Sequence, residues 1–208
     1  MYQPSKIVSS AEEIKRTLGE LSDNQRDKTI DHVDAHIAAW IERSPFVVLS
    51  TFDEAGNIDV SPKGDPPGFV KILDKKTLAI PDRIGNHRAD TFHNLLDNPR
   101  IGLMFIVPQR REVVRVSGSA QIVKDEELLE SMAIKNRRPQ LAILVRVEEA
   151  FYHCGKAMIR SGMWRPEDWG SIEGLPTYAQ AVLDHARPPE SLEELKDRFD
   201  KNERERLY

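Results

Sequence analysis

From Phe46 onward the apolar residues stop recurring at helical spacing and begin to alternate, and no other feature constrains the fold as tightly. Residues 46–51 read as a strand, 53–57 (DEAGN) as a turn and 58–61 as a returning strand, which together predict a hairpin. Further strands are predicted at 69–73, 77–80, 100–107, 113–123 and 141–151. Between them the pattern predicts one helix near 88–96 and another near 124–135. Short strands joined mostly by turns favour an antiparallel barrel over a doubly wound parallel sheet.

Both flanks are helical. Ser10 with Glu13 forms a capping-box pattern ahead of Ile14, Leu18 and Leu21. A second helix is expected to carry Ile30, Val33, Ile37, Trp40 and Ile41 before the Ser44-Pro45 break. After the last strand, residues 155–164 suit a short helix and 165–170 an ordered loop. Residues 191–206 suit a highly charged helix with a sparse apolar face of Leu192, Leu195 and Phe199. The expected class is therefore α+β and mainly β. A helical extension spans residues 1–43, a barrel domain 44–154, and a helical and loop segment 155–208.

Hydrophobic content of 39% beside 31% charged residues is that of a soluble globular chain. A net charge of −4 without a long basic block argues against a nucleic-acid partner. Cys154 is the sole cysteine, so no intrachain disulfide can form, and a cytoplasmic setting is expected. The first residues, MYQPSKIVSS, lack the apolar core of a signal peptide. The apolar run at 101–107 is far too short to span a bilayer.

Residues 78–92, LAIPDRIGNHRADTF, form the main candidate site. A strand ends there, Asp82, Arg83, Gly85 and Asn86 make a turn, and a helix is expected to open at His87 or Arg88. Helix-start N–H groups with two arginines beside them suit a phosphate dianion. A cation in a first helical turn, as expected for Arg88, opposes the helix dipole unless an anion offsets it. The alternative is a solvated loop with an ordinary Asn cap.

Lys63 follows a strand in the Pro/Gly-rich stretch SPKGDPPG, either aimed at a ligand or solvated, and Asp59 and Asp65 read equally as turn residues. Arg115 interrupts an apolar strand and needs a partner, whether a carboxylate on the next strand, a phosphate or water. On a helix, Lys156, Arg160 and Trp164 share one face, which would grip a planar anion or simply anchor the tail. His153 and Cys154 are strand neighbours that point apart, which disfavours a catalytic thiol. His32 and His36 have i, i+4 spacing, but no glutamate follows in the zinc-protease pattern, so a solvated helix face is expected and no metal. The sequence contains neither a P-loop nor a G-x-G-x-x-G turn nor a G-x-S-x-G elbow.

The run SPKGDPPGFVKILDKKTLAIPDRIGNHRADTF, followed by VVRVSGSAQIV and by FYHCGKAMIRSGMWRPEDW, resembles the pyridoxamine 5′-phosphate oxidase-like flavoprotein superfamily, and within it the FMN-dependent branch of unassigned substrate. The resemblance spans about residues 44–169. It implies a split β-barrel of antiparallel Greek-key type, forming a homodimer with FMN in clefts between subunits. It also implies phosphate contacts from Asn86 and Arg88, then Lys63 and Arg83 beside Asp82, with Arg115 on the strand flanking the flavin. Lys156, Arg160 and Trp164 are the candidates to complete the site from the second subunit. The implied activity is hydride transfer through flavin N5 to or from a small molecule, with oxygen or a reduced nicotinamide as second partner. The alternative is a non-catalytic flavin- or haem-binding protein of the same fold. The Arg-x-Val-Leu-Leu-Lys strand of true pyridoxamine phosphate oxidases is here Gly68-Phe69-Val70-Lys71-Ile72-Leu73, and their Ser-Arg-Lys triplet is Asn86-His87-Arg88. Their Arg-Gln pair is Glu112-Val113, so vitamin B6 oxidation is not expected.

Overall fold

The computed structural model describes residues 2–85 and 87–208. Seven strands form one antiparallel sheet: β1 (Phe46–Phe52), β2 (Ile58–Gly64), β3 (Lys71–Asp74), β4 (Thr77–Pro81), β5 (Arg100–Ile106), β6 (Val113–Val123) and β7 (Ala142–His153). Their order is β2-β1-β5-β6-β7-β4-β3. The expected β1–β2 hairpin is present, its turn held by Asp53, whose carboxylate accepts from the Asn57 N–H and side-chain amide at 2.8 Å each. Alternation in β1 turns Val47, Leu49 and Thr51 inward and leaves Phe46 and Phe52 outward. The inward set joins Leu78, Ile80, Phe105, Val114, Val116 and Ile143 in one core.

β2 and β4 are far apart in the strand order, yet Lys63 of β2 reaches Asp82, just past β4, at 3.1 Å. The sheet therefore curls until its ends approach without pairing through their backbones. That is a split barrel, as expected.

The helices depart from expectation in instructive ways. α1 (Ala11–Leu18) has Ser10 as its cap, but only half of the capping box forms, and Glu13 turns to Lys6 at 3.4 Å. A short α2 (Asp23–Asp27) follows, which was not expected. α3 (Ala35–Ile41) starts five residues later than Ile30, because Asp34 caps it and the preceding chain bonds to the sheet instead. Ile30 exchanges both main-chain bonds with Ala150 of β7, and the Val33 N–H donates to the Lys75 carbonyl. His32 thus lies outside the helix, and its ring contacts Asp31 at 3.0 Å. Ile37, Trp40 and Ile41 bury α3 against the barrel, with Trp40 edge-on to Tyr152.

α4 (Asp90–Asp97) links β4 to β5, and α5 (Glu126–Ser131) is shorter than expected because the chain turns at 134–137. α6 (Lys156–Ser161) ends at Gly162, whose φ of 62° stops the helix. A 3₁₀ turn (Pro166–Asp168) and α7 (Tyr178–Ala186) lead to α8 (Leu192–Glu205). α7 was not expected; it packs on α8 through Tyr178 and Phe199, with Leu195 fully buried. Among the described residues, no helix is long and apolar enough to cross a membrane.

Asp31 also ties the N-terminal segment to the β3–β4 turn, at 2.6 Å from Lys76. Hydrogen bonds from Lys76 first and His32 second lower its pKa from 3.8 to about 2. The folded pKa lies below the unfolded one, so this contribution to stability is complete above 3.8 and lost as pH falls toward 2. Urea midpoints of Asp31→Asn should therefore sit below wild type at neutral pH and meet it near pH 2. A gap that stayed open in acid would show that the carboxylate is not its source.

Candidate functional site

In β2, alternation places Asp59, Ser61 and Lys63 on one face and Ile58, Val60 and Pro62 on the other. β2 extends through Gly64, so Lys63 stands on a strand rather than in the expected turn. Its ammonium lies 3.1 Å from Asp82 and 5.7 Å from the centre of the Phe92 ring, with only 19% of the side chain exposed. Asp59 accepts from the buried Thr91 hydroxyl at 2.8 Å, which seats α4 against β2.

The turn after β4 is anchored by the Asp82 N–H, which donates to the Leu141 carbonyl at 2.9 Å. Arg83 then points inward. Its Nε donates to Asp65 Oδ2 at 2.6 Å and its Nη2 to the Met132 carbonyl at 2.8 Å. The Asp65 side chain is 1% exposed, so it is an interior acceptor and not a turn residue. Its setting between Gly64 and two prolines gave no signal of this, because the partner lies 18 residues away.

Arg88 lies between His87 (φ 59°) and Ala89 (φ 58°), two non-glycine residues held in the left-handed region. Such conformations persist where surrounding structure enforces them, and they concentrate at functional sites. The helix begins at Asp90 and not at Arg88, with Ala89 as a cap that makes no side-chain bond. The anion that offsets Arg88 is thus Asp90, with Nε at 2.6 Å from its Oδ2. That bond, and then the Asp90 charge, raise the pKa of the Arg88 guanidinium. Asn86 lies outside the described residues.

Lys63, Asp82, Arg83 and Arg88 converge on one cleft of about 770 Å³. Arg137, Arg138 and Tyr208 also line it, and sequence reasoning had singled out none of these three. They reach the cleft from the turn before β7 and from the segment after α8, at distances along the chain that no local pattern reports. Cations outnumber carboxylates on the walls, and the cleft is within the range of small-molecule sites. Low-dielectric walls carrying one excess sign attract an anion of the other.

The remaining expected residues lie elsewhere in the single chain. Arg115 finds its cross-strand partner not in a carboxylate but in the Phe151 ring, 5.2 Å from its centre. Lys156 and Arg160 stand on α6. Trp164 lies beyond the Gly162 stop, off the helix face they share, and its indole donates to the Arg110 carbonyl at 2.7 Å. It lines a separate cavity of about 360 Å³ between α6 and the β5–β6 turn.

The model of the family described as pyridoxamine 5′-phosphate oxidase matches residues 33–154. The chain belongs to the pyridoxamine 5′-phosphate oxidase family. The family span includes β2, the β4 turn and the two cleft arginines before β7, whereas α1, α2 and Tyr208 lie outside it. Among solved structures, HupZ from group A Streptococcus is 20% identical, with 58% of this chain and 93% of that one covered, at a TM-score of 0.48. A pyridoxamine 5′-phosphate oxidase-type protein from Lactobacillus delbrueckii is also 20% identical, with coverages of 59% and 95% and a TM-score of 0.47. HutZ, the haem storage protein of Vibrio cholerae, is 14% identical, with coverages of 59% and 96% and a TM-score of 0.43. No curated protein sequence matches the chain.

Proposed function

We propose that this protein binds FMN in the cleft and is an FMN-dependent oxidoreductase working as a homodimer on a small molecule other than vitamin B6. The observation that carries this reading is the convergence of Lys63, Arg83 and Arg88 on one cavity at the β4 turn of a fold from this family. The residues fit a phosphorylated flavin. Lys63 and Arg83 are mostly buried cations, and the cavity has room for a planar ring system beside them.

Arg88, at the rim, meets the phosphate as it enters, and Lys63 can exchange Asp82 for a phosphate oxygen of higher charge. Asp65 keeps Arg83 in a fixed orientation while its guanidinium edge serves the ligand. FMN, when bound, supplies hydride exchange at its N5 atom, so the protein's part is to position and exclude water. No nucleophile is required of the chain.

The dimer is supported by an outward apolar face on β1 and β2, where Phe52, Ile58 and Val60 are 38%, 73% and 62% exposed. A second copy covering that face accounts for it, and Lys156, Arg160, Trp164 and Arg115 are the proposed ring-side contacts from that copy.

The test is a titration with FMN and with riboflavin, followed by flavin absorbance and fluorescence. Wild type should bind FMN more tightly than riboflavin. Arg88→Ala should weaken FMN roughly tenfold and leave riboflavin unchanged, the effect of losing one charge-assisted phosphate contact. Equal losses for both ligands would move the phosphate away from Arg88. Failure to take up either flavin, or uptake of haem with a Soret band in its place, would overturn the FMN reading.

A further inference from the structure

Tyr208 follows α8 and comes to rest on the wall of the cleft. Its hydroxyl donates to Asp65 Oδ1 at 2.8 Å, while Oδ2 of the same carboxylate takes Arg83. Its ring centre lies 6.0 Å from the Arg83 guanidinium and 5.2 Å from the Lys135 ammonium. Its main-chain oxygen accepts from Arg137 Nη1 at 2.6 Å. One residue thus joins the loop after β2, the turn after β4 and the turn at 134–137.

The last of these segments is stiff. Ile134 and Arg137 exchange both main-chain hydrogen bonds, at 3.0 and 2.9 Å. Lys135 and Asn136 between them have φ of 50° and 60°, the two positive values of a tight hairpin turn, here without glycine. Such a turn fixes where Lys135 and Arg137 project. Tyr208 is one of the residues that line the cavity of about 770 Å³, so it forms part of the wall. The hydrogen bond to Asp65, and then burial, push the phenol above its ordinary range, so the donor proton is retained at physiological pH.

We infer that Tyr208 is a positioning residue that straps the Asp65–Arg83 pair to the 134–137 turn and so closes the cleft over a planar anionic ligand. The identity of that ligand rests on the flavin reading above; the strap does not. Because the strap holds a wall of the cleft as well as the Arg83 guanidinium, its loss affects both flavins, FMN at least as much as riboflavin, unlike the loss of a phosphate contact alone.

The experiment measures release rates of FMN and riboflavin from wild type, Tyr208→Ala and Tyr208→Phe, with thermal unfolding as a control for folding. Tyr208→Ala should release both flavins roughly tenfold faster. Tyr208→Phe keeps the ring and its cation contacts but loses the hydrogen bond to Asp65, so its release rates should fall between those of wild type and alanine. Unchanged release in Tyr208→Ala, a loss confined to FMN, or release from Tyr208→Phe equal to wild type would overturn the proposal. If wild type binds neither flavin, the flavin reading has failed, and the strap is then read by hydrogen exchange at residues 134–137. Exchange there should be faster in Tyr208→Ala than in wild type, and equal rates would refute the strap.

Discussion

Asp65→Ala should lower the unfolding free energy by ~3–5 kcal/mol, the range for removing one partner of a buried ion pair. The carboxylate is 1% exposed and accepts from both Arg83 and Tyr208, so its loss leaves a largely buried guanidinium and a phenol without their acceptor. Arg83 keeps the Met132 carbonyl, which places the effect toward the lower end. For a chain of this size that corresponds to a melting point lower by about 6–12 °C. Asp65→Asn preserves the shape and one acceptor and should fall between wild type and alanine. A deficit below ~1 kcal/mol in urea melts of Asp65→Ala would mean that water already screens the pair. The functional consequence follows from the same contacts. Without Asp65, Arg83 loses its fixed orientation, so affinity for an anionic ligand should drop along with stability.

Gly118→Ala should be about as costly, for a different reason. β6 and β7 pair over eleven positions, with a register shift between Ser117 and Gly118. At that shift the strands approach so closely that a Cβ on Gly118 would be driven into the Arg146 carbonyl oxygen and to 3.2 Å from the Glu148 nitrogen. Both obstacles are backbone, so relief requires opening the longest ladder in the sheet. The expected loss is ~3 kcal/mol, the upper part of the usual overpacking range. Gly102 provides the control. It sits on β5 opposite Ser117, and a Cβ there meets no atom within 4 Å. Gly102→Ala should therefore change stability by no more than ~0.5 kcal/mol, or raise it slightly through the unfolded chain. Similar urea midpoints for the two variants would refute the close approach at Gly118.

These two sites illustrate how differently parts of the molecule are written in the sequence. The bulge glycine looks like any strand glycine, and Asp65 looks like a turn residue beside two prolines. By contrast β1, β2, β5, β6 and β7 are legible within one or two residues at most of their ends, because alternation reports directly which side chains face the core. The cap at Ser10 is legible for a similarly local reason, since the cap oxygen and the N–H that donates to it lie three residues apart. Errors fall where a distant surface competes with a local signal. Ile30 continues a helical pattern but bonds to β7, and Trp164 continues a cationic face but is cut from it by Gly162.

The candidate site divides the same way. The sequence by itself determined the run of short strands, the barrel class and the turn at residues 82–88 as the place to look for a bound anion. Strand period and turn chemistry act over a few residues and leave their mark there. Tertiary structure alone decided that Lys63 meets Asp82, that Arg83 is held by Asp65, and that Tyr208 reaches the same Asp65. Those pairs are 19, 18 and 143 residues apart, and only the curl of the sheet and the return of the chain after α8 bring them within hydrogen-bond reach.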